Sequence, residues 1–186
     1  NDAGRLLRAN QNTAIGSAAL RNDSTGTNNV AVGYRASYEN DTASAVTAIG
    51  TDALYYNTLD SNVAIGYRAG LFANSNASAP SRELTFVGTF AGLGSFASSK
   101  NTAVGFRALA QTNAVGISTD YTNGGRNTVI GDSAMAGGMG AFNVAVGTQV
   151  MSTSGLNTLR NVAIGDSAMG NSISPIENTA VGYKSL

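Results

Sequence analysis

Asn161-Val162-Ala163-Ile164-Gly165-Asp166-Ser167-Ala168-Met169 is one copy of a phrase that runs the length of the chain. The unit reads Asn-[Thr/Val]-Ala-[Val/Ile]-Gly-x-x-Ala-[Leu/Met]. Its copies begin at Asn12, Asn29, Val46, Asn62, Leu84, Asn101, Asn127, Asn143, Asn161 and Asn178. The repeat glycines, from Gly16 to Gly182, are spaced 17, 17, 16, 22, 17, 26, 16, 18 and 17 residues apart. A nearly constant period with two longer steps describes a stack of equivalent coils carrying two insertions. These fall near 71–82 and 113–126, the first rich in Ser and Asn and the second in Asn, Thr and Gly. Within the second, Asn113-Ala114-Val115-Gly116 looks like half a repeat that Ile117 to Asp120 does not continue, so it is read as insertion.

Each place in the unit has a physical reading. Thr or Val at the second place and Val or Ile at the fourth are β-branched and share one face of a short strand, while the Ala between them takes the other. Gly, present in ten of ten copies, ends the strand where a corner needs a positive φ or close backbone approach. Asn, present in eight of ten, marks the opposite corner, where its amide can bond the turn backbone or the equivalent Asn of the next coil. Such density of Gly, Asn and β-branched residues disfavours a helix. A period of 17 is too short for a propeller blade and lacks the leucine lattice of leucine-rich repeats.

The expected fold is therefore all-β: a parallel β-roll or β-helix solenoid of about ten 17-residue coils, with two short strands in each. At about 4.8 Å per strand the stack makes a rod on the order of 45 Å long. Residues 1–11 read as the end of a preceding repeat or a connector, and 12–186 as the repeat array. The β-branched residues are expected to point inward, leaving an Ala-lined outer face. That face needs a cover, and side-by-side association, most simply as a homotrimer, supplies one.

Composition excludes much chemistry. The chain has no Cys, His or Trp, so disulfides, thiolate nucleophiles, Cys-bearing zinc sites and the usual neutral-pH general base are all missing. No enzyme, catalytic residue, metal or cofactor is expected. Zero net charge with 12% charged residues argues against a nucleic-acid partner and against membrane-surface binding. No apolar run approaches the length of a membrane helix, so membrane insertion is not expected. The acidic residues do not follow the spacing of calcium-loaded rolls.

The copies at Asn29 to Ala36, Asn62 to Ala69, Asn101 to Leu109 and Asn178 to Leu186 resemble the head repeats of trimeric autotransporter adhesins of the YadA type. They resemble still more the repeats of phage and prophage tail fibres, which often precede an intramolecular chaperone domain. The resemblance covers the chain from about Asn12 to Leu186. It implies a trimeric, left-handed parallel β-roll carried on a virion tail fibre, or alternatively on the extracellular bacterial cell surface, and used for attachment. Its partners would be its own copies, a host surface glycan or protein, and other fibre or baseplate proteins. The period of 17 and the two insertions depart from the shorter adhesin-head unit and favour the tail fibre. The last copy stops at Leu186 with no chaperone domain after it, which reads as a segment of a longer fibre.

Two groups of residues are candidates for receptor binding. Tyr34-Arg35, Tyr67-Arg68, Phe106-Arg107 and Tyr183-Lys184 place an aromatic and a cation just after the Gly. Such pairs stack on sugar rings and bond hydroxyls or carboxylates; equally, the ring can cover the corner while the cation stays solvated or pairs with a neighbour. In the second insertion Tyr121, Asn123 and Arg126 gather a ring, an amide and a guanidinium on a loop that is either a recognition element or a plain surface loop. Asp132 and Asp166, two coils apart, match a carboxylate pair of an inverting glycosidase only in distance, with Thr148 between them. Thr at six of ten second places would make an ice-binding ladder if it faced outward, and the expected inward orientation weighs against that alternative.

Overall fold

The computed structural model describes residues 2–6, 10–73, 82–94, 99–110, 125–137, 140–152 and 158–186. It is an all-β solenoid. The strands are β1 (Thr13–Ile15), β2 (Val30–Val32), β3 (Thr47–Ile49), β4 (Val63–Ile65), β5 (Thr85–Val87), β6 (Thr102–Val104), β7 (Thr128–Ile130), β8 (Gly140–Ala141), β9 (Val144–Val146), β10 (Thr158–Leu159), β11 (Val162–Ile164) and β12 (Thr179–Val181). All but β8 and β10 form one ten-stranded sheet in the order β1-β2-β3-β4-β5-β6-β7-β9-β11-β12. Every pair in it is parallel and in register, as with Thr13↔Val30 and Val162↔Thr179. Register also holds across the two long steps, Val63↔Thr85 and Thr102↔Thr128, so the inserted residues leave the stack in phase. Of the insertions themselves, 74–81 and 111–124 lie outside the described residues.

The expectation of two strands per coil holds only locally. A second strand pairing occurs between β8 and β10, extended by a bridge from Leu159 to Ile176. Among the described residues the limb that leaves each repeat Gly is built of turns, because the second and fourth residues after that Gly are left-handed, as in Ala18 and Leu20 (φ 58° and 48°) or Ser167 and Met169 (55° and 52°). This alternation aims successive amides along the rod in opposite directions. Arg35 N–H donates back to Ser17 O at 3.0 Å, while Leu20 N–H donates forward to Ala36 O at 3.0 Å. The turn limb thus satisfies its backbone between coils, as a sheet does, without being one. Gly4 N–H makes the equivalent bond to Ala19 O at 2.8 Å, so the chain before Asn12 already packs as a turn limb.

The orientation of the strands reverses the sequence expectation. Ala31, Ala48, Ala64, Ala103, Ala145 and Ala163 are fully buried and point inward, whereas Ile15, Ile49, Ile65, Ile130 and Ile164 are exposed. The reason is the thinness of the rod. Inside, each strand Ala faces the Ala-[Leu/Met] pair of the turn limb, including Leu20, Leu54, Met135 and Met169, and two branched columns have no room. Val129 and Phe86 are the exceptions, both fully buried in a strand Ala's place, and Phe86 measures the space. It replaces a strand Ala, and glycines stand at the Leu place in its own coil and the one before. A Cβ on Gly92 would fall 2.5 Å from the Phe86 ring, and one on Gly70 would fall 3.0 Å from it. The uncovered face is therefore the β-branched one, not the Ala-lined one.

At the first corner, Gly147 has φ 134°, and an added Cβ would lie 2.5 Å from Gly165 O of the next coil. Positive φ and close approach both operate there. At the second corner the buried asparagines form a ladder. The Oδ1 of Asn101, Asn127, Asn143 and Asn161 accepts the backbone N–H of Asn127, Asn143, Asn161 and Asn178 respectively, at 2.9–3.0 Å. Nδ2 of Asn143 donates to Thr158 O and that of Asn161 to Pro175 O. One amide thereby bonds both the next strand start and its loop.

Candidate functional site

The repeat Gly turns the chain from the sheet onto the turn limb, so the two residues after it form columns running along one corner of the rod. The first column holds Tyr34, Thr51, Tyr67, Thr89 and Phe106 in succession, then Asp132, Thr148, Asp166 and Tyr183. Tyr34, Tyr67 and Phe106 are 49%, 40% and 47% exposed. The second column holds Arg35, Asp52, Arg68, Phe90 and Arg107, then Ser133, Gln149, Ser167 and Lys184.

The structure brings four of the sequence candidates, Tyr34, Arg35, Tyr67 and Arg68, into one cluster built around a residue the motif did not mark. Asp52, its side chain only 4% exposed, sits between the two arginines. Arg35 Nη2 donates to its Oδ2 at 3.2 Å and Arg68 Nε to the same oxygen at 3.4 Å. Arg35 Nε lies 2.9 Å from Oδ1, but neither of those atoms makes a hydrogen bond, so that approach acts through charge alone. Desolvation opposes the charge of Arg35, and the hydrogen bond and charge of Asp52 outweigh it, leaving the guanidinium pKa raised. Each arginine also lies over its preceding ring, Arg35 at 4.7 Å from Tyr34 and Arg68 at 5.0 Å from Tyr67. The corner is thus a fixed array of rings and cations.

A second aromatic group, not singled out in the sequence, lies farther round the turn limb. Tyr38 and Tyr55 stack with centroids 4.9 Å apart, and Tyr56 stacks on Phe72 at 5.4 Å. Arg21 donates to the Tyr38 hydroxyl at 2.8 Å, and Arg35 reaches over Tyr55 at 5.2 Å. Burial first, with Tyr56 adding to it, raises the Tyr55 phenol pKa and keeps it neutral. The 17-residue interval between Tyr38 and Tyr55 was the available signal, hidden because the flanking loop residues vary.

The insertion candidates fare differently. Tyr121 and Asn123 lie outside the described residues. Arg126 is exposed on the Asn side of the rod, immediately before Asn127, with its guanidinium 5.1 Å from the Phe142 ring. Asp132 and Asp166 are exposed and accept hydrogen bonds from Ser133 Oγ (2.7 Å) and Ser167 Oγ (2.6 Å). Lys184 lies 5.0 Å from the Tyr183 ring and helps line an open polar cavity of about 320 Å³ with Gln149, Ser152, Ser167 and Asn171. Among the described residues no three Asp or Glu gather into a metal-binding group, and no helix is long and apolar enough to cross a membrane.

No family model, curated protein or solved structure matches the chain.

Proposed function

We propose that the chain is a structural and receptor-binding segment of a trimeric attachment fibre of a phage or phage-like particle, its coils wound left-handed. The observation that carries this reading is the outer face of the ten-stranded sheet. Its two columns, Thr13 to Thr179 and Ile15 to Val181, are entirely Thr, Val or Ile, and Ile and Val at the fourth place are exposed or half-buried from end to end. Purely parallel sheets are normally covered on both faces, and a continuous apolar strip of this length marks a protein contact. Three copies turned about a common axis would close the strip against itself and leave the corners and loops outside. Threefold closure, rather than another number, rests on the resemblance to fibre and adhesin repeats. A bacterial adhesin head uses the same assembly, and the sequence flanking the array separates the two.

The test is a charged substitution in the strip. Ile49→Lys with Ile65→Lys should prevent assembly, since six like charges would meet at the axis of a trimer, and should abolish adsorption of the purified chain to bacterial cells. Adsorption by a folded, monomeric double variant at the parent's level would refute the reading. One observation favours a second function. The outward orientation of Thr13, Thr47, Thr85, Thr102, Thr128 and Thr179 removes the sequence objection to ice binding. A parent chain that stays monomeric and inhibits ice recrystallisation would establish that alternative.

A further inference from the structure

Both aromatic groups have arginines over their rings, as Arg35 over Tyr34 and Arg21 over Tyr38, but they differ in whether ring stacks on ring. Tyr38 and Tyr55, like Tyr56 and Phe72, occupy adjacent coils and stack on one another, so their faces are spent on each other. Tyr34, Tyr67 and Phe106 occupy alternate coils with Thr51 and Thr89 between them. Alternate strands of a sheet are about 10 Å apart, too far for these rings to stack directly. Phe90 packs edge-to-face with Tyr67 and Phe106, with centroids 5.3 and 6.2 Å apart, and joins them into a row. Stacking of the coils does not need these rings, because the same column is Ser17, Thr51 or Thr148 elsewhere.

Charge is also distributed unevenly along this corner. From Tyr34 to Arg107 the two columns carry three arginines and one aspartate, whereas from Asp132 to Ser167 they carry two aspartates and no cation. Asp52 fixes Arg35 and Arg68 in place but neutralises only one of them.

We propose that Tyr34, Tyr67 and Phe106, with Arg35, Arg68 and Arg107 beside them, form a track for a linear acidic polysaccharide lying parallel to the rod. Pyranose rings offer the apolar C–H faces that aromatic side chains cover, and uronate carboxylates offer the planar acceptors that guanidinium groups bind. The two-coil interval is close to the length of one disaccharide unit of an extended polysaccharide, so successive units meet equivalent ring and guanidinium pairs. Affinity then grows steeply with chain length, as linked weak contacts require. This deepens the attachment reading and rests on it for its setting, since it names the receptor class that such a fibre would hold.

The experiment titrates the whole chain with alginate, a linear polyuronate, following tyrosine emission in a protein that has no Trp. Carboxyl-reduced alginate and uronate oligomers of graded length serve as comparisons. Tyr34→Ser/Tyr67→Ser/Phe106→Ser puts into the column a residue type it already carries at Ser17, and Arg35→Gln/Asp52→Asn/Arg68→Gln removes both cations together with the buried carboxylate they hold. Saturable binding that strengthens with length, and that falls at least tenfold in each variant and on carboxyl reduction, supports the track. Undetectable binding, or binding by the triple Ser variant equal to the parent's, overturns it. Light scattering on the same samples separates the two proposals. An assembled parent that ignores alginate overturns the track alone, a monomeric parent that binds it overturns only the fibre, and a triple variant that dissociates makes the column an assembly contact instead.

Discussion

The two halves of the rod share a backbone and differ in what fills their columns. From Asn101 to Asn178 the buried amide ladder is unbroken, and the turn-limb surface is lined by small residues such as Ala136 and Ser152. From Asn12 to Leu84 the ladder is interrupted twice, by Val46 and Leu84, and the corresponding surface carries stacked tyrosines and the Arg35–Asp52–Arg68 group. In a solenoid each coil touches mainly its neighbours, so stability is a sum of local ladders rather than the property of one core. The comparison teaches that the Gly corner and the inward Ala are common to both halves and define the fold. Amide, ring and ion columns are interchangeable supports, and the columns facing water are free to acquire function.

Four perturbations sharpen that comparison, from the largest effect to the smallest. Gly147→Val should destabilise the chain by more than about 4 kcal/mol, because strained φ and a clash with Gly165 O combine at a shared corner. Chemical denaturation of parent and variant reads it. An unchanged midpoint would mean that the corner does not define the fold in either half. Phe86→Ala should cost about 3–5 kcal/mol through the cavity it leaves. Adding Gly92→Leu to it should restore much of the loss, since Leu20 and Leu54 occupy the equivalent place at φ 48° and 47°, whereas Gly92→Leu alone drives a side chain into the Phe86 ring. A double-mutant cycle with strongly negative coupling energy is the expected outcome.

Asn143→Ala tests the C-terminal half. It leaves the buried N–H of Asn161 and the carbonyl of Thr158 without that partner, an effect of about 1–3 kcal/mol for an orphaned group. Amide hydrogen exchange should quicken around Asn161 and not around Asn29.

Asp23 tests the N-terminal half through pH. It occupies the buried column continued by Asn40 and Asn57, and its carboxylate accepts from Gly26 N–H at 2.7 Å and Asn29 Nδ2 at 3.0 Å. Desolvation outweighs these bonds, with Asp41 adding to it, and raises the pKa above the ordinary 3.8. A raised carboxylate pKa means the folded state binds the proton more tightly than the unfolded state. The associated stability is full below about 3.8 and is lost as pH rises through the folded value. Asp23→Asn, which copies Asn40 one coil on, should therefore gain thermal stability over the parent at pH 7, and the gap should close as pH falls below 4. A gap that widened with acid would mean that the carboxylate, not its protonated form, is what the coil holds.

Much of this architecture was legible in the sequence, since a stack of coils translates period directly into strand pairing. The ten glycines located the corners, the asparagines located the ladder, and the two long intervals located the insertions without disturbing register. Alternation showed that Ala163 and its flanking Val162 and Ile164 face opposite ways, but not which way is inward. That depends on the width of the coil. The turn limb with its left-handed residues leaves room for Ala, or at most Val129, against a Met, and no local pattern around Val162 encodes that distance. The candidate corner was half legible. Tyr34-Arg35 and Tyr67-Arg68 stood out as repeated pairs, whereas Asp52 stood in the same place without resembling them. Its role comes from lying one coil from each, a proximity that only stacking creates.

The most direct test of the central claim, that the outer β-branched face is a protein contact, uses the absence of cysteine from the chain. A single Ile65→Cys is placed on the outward column, with Ile173→Cys as an exposed reference, Ile173 being 88% exposed. Reaction with a bulky thiol reagent is timed under native conditions. The account predicts that Cys at 65 reacts at least tenfold more slowly than Cys at 173, and equally fast once the chain is unfolded. Equal native rates at the two positions would show the Val and Ile strip open to water and contradict it.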